Sequence, residues 1–235
     1  MRLLDREEFR WRLSMFGLIL DFIYPRKCLV CNGIMPVEDK NIFCFNCKRY
    51  IHYINADCDN EFFNKKNIFV KRNYGIVVYN EYFKEVIHRY KYGKKEHYGK
   101  VLAILMQKKF EQIIKTHNID VVIPVPIHKN RFRVRGYNQS EILSKVLSKK
   151  VNVKHDKNYI WRSKDTKPQN NLSVKKRKEN LKKSFELVDK ENVRYKKVLL
   201  IDDIYTTGST LEGCAEILTA HGSEVYTLCL AVAVK

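Results

Sequence analysis

The sequence predicts an α/β chain: a doubly wound, mostly parallel sheet preceded by a small cysteine-bearing segment. Three observations predict it. Ile119–Val125 and Val198–Ile201 are apolar runs without alternation, as expected of strands buried on both faces. The second run passes through Asp202, Asp203 and a Thr/Gly/Ser-rich turn into a helical pattern at Leu211, Cys214, Ala215 and Leu218. Upstream of both stand two Cys-x-x-Cys pairs. A chain of 235 residues accommodates one α/β domain and a small appendage. The expected division is 1–62 and 63–235, through the polar stretch Asn55–Lys66.

Leu13, Phe16, Gly17, Leu20 and Tyr24 follow helical spacing, giving an N-terminal amphipathic helix. The apolar run Leu13–Tyr24 has 12 residues and includes Asp21, short of the roughly 20 needed to cross a bilayer. With no evident signal peptide, the expectation is a cytoplasmic protein with reduced cysteines and no stable membrane span. Cys28 and Cys31, then Cys44 and Cys47, have the spacing of a four-thiolate structural zinc ribbon. Disulfides are the alternative, disfavoured by a reducing compartment.

Asn67–Tyr79 reads as one strand or a hairpin, and Tyr82–Tyr92 as a helix ending near Gly93. The stretch Arg89-Tyr90-Lys91-Tyr92-Gly93-Lys94-Lys95 has two readings. Interleaved rings and cations suit stacking on bases, and the same composition suits a helix C-terminus. Tyr98–Lys115 is the strongest helical pattern, and the strand that starts at Ile119 ends at prolines. A basic loop from Lys129 to Gln139 follows, then a helix over Ser140–Ser148. Arg131, Arg133 and Arg135, next to Gly136, could converge on a pyrophosphate or a nucleic-acid backbone. Glu224–Val234 is expected to be the last strand, and the expectation is that no hood over an acceptor base follows it.

The net charge is +19, and residues 129–183 hold 18 Lys/Arg against four acidic residues, +14 of that total. Such density favours a polyanion, although a Lys- and Asn-rich composition would decorate a solvated surface in the same way. Candidate nucleic-acid contacts are Arg131, Arg133, Arg135, Lys175, Lys176 and Arg177. In the acidic stretch, carboxylates at the strand end can bind ribose hydroxyls or sit beside hydrated Mg2+. The loop's N–H groups and the following helix N-terminus can hold a phosphate.

Val198–Leu211 resembles the phosphoribosyl-pyrophosphate (PRPP) motif of the type I phosphoribosyltransferases. The Pro124-Val-Pro-x-His128 turn and Arg131-x-Arg-x-Arg-Gly-Tyr-Asn-Gln139 are similar to the ComF family of competence-associated, phosphoribosyltransferase-like proteins. So are the cysteine pairs, Arg162-Ser-Lys-Asp-Thr166, Gln169, Leu172, and Arg177 with Asn180. The resemblance implies a type I phosphoribosyltransferase-like fold with a zinc ribbon. It implies that Asp202 and Asp203 meet the ribose hydroxyls and that Thr206, Thr207, Gly208, Ser209 and Thr210 hold the 5-phosphate. His128, Arg131, Arg133 and Arg135 would lie on the pyrophosphate side, with Mg2+. Arg162–Lys183 would be a closing loop with Arg177 as its clamp.

Besides the expected absence of a hood, a second departure bears on catalysis. Purine-salvage transferases carry a proton-accepting Asp where this chain has Thr206. Two functions therefore stand. One is a DNA-uptake protein of natural transformation that binds PRPP and single-stranded DNA and passes the strand to a competence helicase or recombination protein. The other is an active phosphoribosyltransferase with an unassigned acceptor.

Overall fold

The computed structural model describes residues 25–36, 38–39, 41–54, 68–93, 96–164, 184–188 and 195–233. The expected N-terminal helix, the linker from Asn55 and the segment 165–183 lie outside the described residues, and with them Lys175, Lys176 and Arg177. The chain divides into two compact units, 1–52 and 53–235.

In the first unit, a one-turn helix α1 (Phe45–Lys48) follows Cys44. An isolated antiparallel bridge joins Lys27 to Ile34 around the first cysteine pair. Leu29, Val30, Met35, Phe43 and Ile51 are buried here.

The second unit is built on β1 (Arg72–Val78), β2 (Val121–Pro124), β3 (Lys154–His155), β6 (Lys197–Tyr205) and β7 (Glu224–Val232). All their pairings are parallel, in the order β1-β7-β6-β2-β3. A separate antiparallel pair joins β4 (Ile160–Arg162) and β5 (Phe185–Leu187). Of the stretch expected as one strand or a hairpin, the described residues form a single strand, Arg72–Val78.

The helices follow the expected periodicities. The first long one, α2 (Glu81–Tyr92), is capped by the Asn80 side chain, which accepts from the Phe83 N–H. Next come α3 (His97–His117) and α5 (Gln139–Val151), which end on the left-handed Asn118 and Asn152. After β6 comes α6 (Ser209–Ala220).

Burial on both faces explains the apolar runs. Val121, Ile123, Val198, Leu200, Val225 and Cys229 share a core with Leu211, Cys214, Ala215 and Leu218 of α6. Val122, Leu199, Ile201 and Leu228 are equally buried but stand outside that core. With a side-chain period of two they point to the other face, where α5 packs on β2 and β6 and against α3. This is the doubly wound arrangement expected.

Two local expectations are corrected. First, the strand bearing the acidic pair does not end before it. β7 continues to pair with β6 through Asp202↔Cys229 and Tyr205↔Val232, so both carboxylates lie within the strand. Second, the basic loop is in large part a helix, α4 (Lys129–Arg135), with His128 as N-cap and Gly136 as C-cap. At 3.6 residues per turn, Arg131 and Arg135 share a face while Arg133 points away. The three arginines therefore do not converge.

Candidate functional site

Sheet order sets the location. From β2 the chain proceeds to β3 on one side, and from β6 to β7 on the other. The loops leaving β2 and β6 therefore part company at their carboxyl ends, a topological switch point of the kind that forms ligand crevices in open α/β sheets. His128 and α4 follow β2 there, and Thr206–Thr210 follow β6.

Because Asp202 and Asp203 are consecutive in an extended strand, they point to opposite faces. Asp202 is tied to the first turn of α5. Its Oδ1 accepts from Ser140 Oγ at 2.9 Å and from the Asp203 N–H at 2.9 Å. Burial, then the neighbouring Asp203 carboxylate, pushes the Asp202 carboxyl up to about 7. Lys91, the Asp203 N–H and Ser140 pull the other way without overcoming this. Asp203 is 7% exposed and takes a salt bridge from Lys91 Nζ to its Oδ2 at 2.8 Å. Tyr90, the residue before Lys91, is fully buried and donates to the Gln139 carbonyl at 2.8 Å. Burial, then the charge on Asp203, raises the Tyr90 phenol above its ordinary value.

The turn after β6 has the form of an anion cradle. Thr206 and Thr207 are exposed. The Thr207 and Ser209 hydroxyls lie 2.9 Å apart, and the Ser209 N–H donates to Thr207 Oγ1 at 3.4 Å. Gly208 has φ +73°, and a Cβ there would lie 2.5 Å from Tyr205 Oη. Both the left-handed backbone and the close approach require glycine. The 12-residue α6 begins at Ser209, with its first N–H groups directed towards this turn.

On the β2 side, His128 is 5% exposed and its Nδ1 accepts from the Asn130 N–H at 3.2 Å. The ring thus caps α4. Asn138, the N-cap of α5, donates to the Val125 carbonyl at 3.0 Å and anchors the chain as it leaves the crevice. Arg135 Nη1 donates to Gln139 Oε1 at 3.0 Å, and the guanidinium lies 5.3 Å from the Tyr92 ring centre. Asp202, Asp203 and the 206–210 turn come together by chain continuity, with Ser140 and Lys91 joining from α5 and α2. Reading the sequence missed Ser140 and Lys91. Lys91 sat in a basic, aromatic stretch, but nothing local marks it as the partner of a carboxylate so distant in the chain.

The phosphoribosyl transferase domain family matches residues 96–235, which include the acidic pair and the turn. Competence protein F of Haemophilus influenzae is 32% identical over 199 residues, 83% of this chain and 86% of that one. The chain belongs to the ComF family. Other relatives fall in line with this. Competence protein ComFC of Bacillus subtilis is 25% identical over 222 residues, 92% of this chain and 85% of that one. DNA utilization protein YhgH of Escherichia coli O6:H1 is 31% identical over 150 residues, 61% of this ComF-family chain and 65% of that one.

The four cysteines of the first unit form a second site. The sulfurs of Cys28, Cys31, Cys44 and Cys47 all lie within 4.8 Å of one another, and those of Cys31 and Cys44 are 3.8 Å apart. Four thiolates at about 2.3 Å from a zinc ion would be separated by about 3.8 Å, so the cluster fits a tetrahedral zinc site. Backbone donors already turn inward: the Cys44 N–H lies 3.3 Å from Cys28 Sγ and the Gly33 N–H 3.4 Å from Cys31 Sγ. Burial opposes ionisation of Cys28. Donation from the Cys44, Cys31 and Val30 backbone and the Cys31 thiol nonetheless brings it down to about 7. Such donors steady a thiolate ligand.

Proposed function

We propose that this chain acts in natural transformation as a DNA-uptake protein. It would bind PRPP with Mg2+ in the switch-point crevice and single-stranded DNA on its basic surface. One observation carries the reading: at the switch point, β6 carries two acidic residues near its end and leads into a hydroxyl-lined, glycine-dependent turn at a helix N-terminus, while its neighbour β2 leads into a basic helix. The names of the relatives, competence protein F and DNA utilization protein, support the setting.

In this reading, Thr206, Thr207, Gly208, Ser209 and Thr210 hold the 5-phosphate, and Asp202 and Asp203 take the ribose hydroxyls. Arg131 and Arg135 face the pyrophosphate with His128 positioning their helix, and Arg133 and Arg177 supply further charge. Mg2+ neutralises pyrophosphate charge when bound. Arg131, Arg133, Arg135, Lys175, Lys176 and Arg177 also serve the DNA backbone. The four cysteines hold structural zinc, and the protein works in the cytoplasm beside a helicase or recombination partner.

Calorimetry with PRPP and Mg2+ tests the crevice. Asp202→Ala with Asp203→Ala should abolish binding, and unchanged affinity would sink the assignment. A second reading, phosphoribosyl transfer to an acceptor, draws on Asp202, whose carboxyl near 7 is matched to proton transfer at neutral pH. Its test is pyrophosphate release from PRPP across candidate acceptors, with and without single-stranded DNA. No release in any mixture rejects it for those acceptors.

A further inference from the structure

The basic, aromatic end of α2 divides its labour. Tyr90 is fully buried, Lys91 is committed to Asp203, and only Tyr92 opens outward, with 53% of its surface exposed. His88, one turn earlier, lies with its ring centre 5.0 Å from that of Tyr92. Arg135 stands 5.3 Å from the Tyr92 ring, its orientation held by Gln139, and its Nη2 lies 3.5 Å from the Tyr92 hydroxyl. Two separate helices thus build a short row of imidazole, phenol and guanidinium. The α4 surface beside it is unusual for a soluble helix. It buries no residue, leaves Phe132 47% and Val134 70% exposed, and carries Lys129, Arg131, Arg133 and Arg135 with no carboxylate. Phe132 lies three positions before Arg135, on the same side of the helix.

We propose that Tyr92, flanked by His88 and Arg135, is a base-stacking platform for single-stranded DNA, with Phe132 as its second ring. The inference rests on the DNA-binding reading above and gives it an address. Charge complementarity selects the occupant: a surface of four cations and no anions takes a polyanion. The rings select the form of it, because base faces are available for stacking in single strands and hidden in a duplex. Cation and ring are placed so that a phosphate can pair with the guanidinium while the adjoining base extends the stack. Loss of base–aromatic stacking costs about 1–3 kcal/mol per base, equivalent to roughly 5- to 150-fold in affinity.

The experiment is fluorescence anisotropy of the full chain with a labelled oligo-dT of about 15 nucleotides, long enough for one binding site. Tyr92→Ala should weaken binding by roughly 5- to 150-fold without changing the salt slope, whereas Tyr92→Phe should stay within about twofold. Arg135→Ala should lower the salt slope by about 0.7. Unaltered protein that binds oligo-dT while Tyr92→Ala binds equally well overturns the platform and leaves the DNA-binding reading standing. A loss in Tyr92→Phe as large as in Tyr92→Ala also overturns it, because the hydroxyl contact with Arg135 would then be what matters. Equal binding of a duplex with the same dependence on Tyr92 overturns the single-strand assignment. No binding by the unaltered protein removes both readings.

Discussion

Replacing Lys91 with methionine removes the cation from Asp203 while keeping most of the side chain's volume. The pair is close, 2.8 Å, and largely shielded, with side-chain exposures of 18% for Lys91 and 10% for Asp203. Exposed pairs contribute about 0–1 kcal/mol, while breaking a fully buried pair costs about 3–5 kcal/mol, because a charge is left buried and uncompensated. The partial shielding here places Lys91→Met at a loss of about 2–4 kcal/mol. Removing Lys91 also removes a force that holds Asp202 down, so its carboxyl should move above about 7. Urea unfolding monitored by circular dichroism reads the loss as a lower midpoint at unchanged slope. The double variant Lys91→Met with Asp203→Asn no longer buries a lone charge and should recover at least half of the loss. A single variant within about 0.5 kcal/mol of the parent would refute the reasoning, as would a double variant that loses the sum of both singles.

Two further predictions follow from the sites. Asp202 has a folded-state value near 7 against an ordinary 3.8, so between those values the folded state binds more protons than the unfolded state. The contribution of Asp202 to stability should therefore be greatest below about 4, decline as pH rises to about 7 and level off above, by about 4 kcal/mol. Asp202→Asn should remove that part of the slope, and a difference curve that is flat between pH 4 and 7 would contradict the burial argument. Purified protein should carry about one zinc per chain by mass spectrometry of metals, lost in Cys28→Ser with Cys44→Ser. A metal-free parent protein would reject the four-thiolate site.

How much could be read in advance differs from residue to residue. The parallel sheet was legible because Val198–Ile201 and Ile119–Val125 had to be apolar on both sides. The four cysteines were legible because knuckle spacing is a local property, and their sulfurs do meet. The end of β6 was not legible. Two carboxylates look like a strand terminus until β7 supplies backbone partners as far as Tyr205. The basic loop was misread for a related reason: the N-cap that starts α4 is a histidine ring, outside the usual capping residues.

The chain by itself determined the fold class, the family and the residue types at the crevice, since each depends on patterns within a few turns of sequence. Tertiary structure alone decided which charges meet. It gave Lys91 to Asp203 and Ser140 to Asp202, turned Arg133 away from Arg131 and Arg135, and left Tyr92 outside while burying Tyr90. The physical reason is that burial and charge pairing are set by separations in space. Loop and helix packing create those separations between segments far apart in the chain.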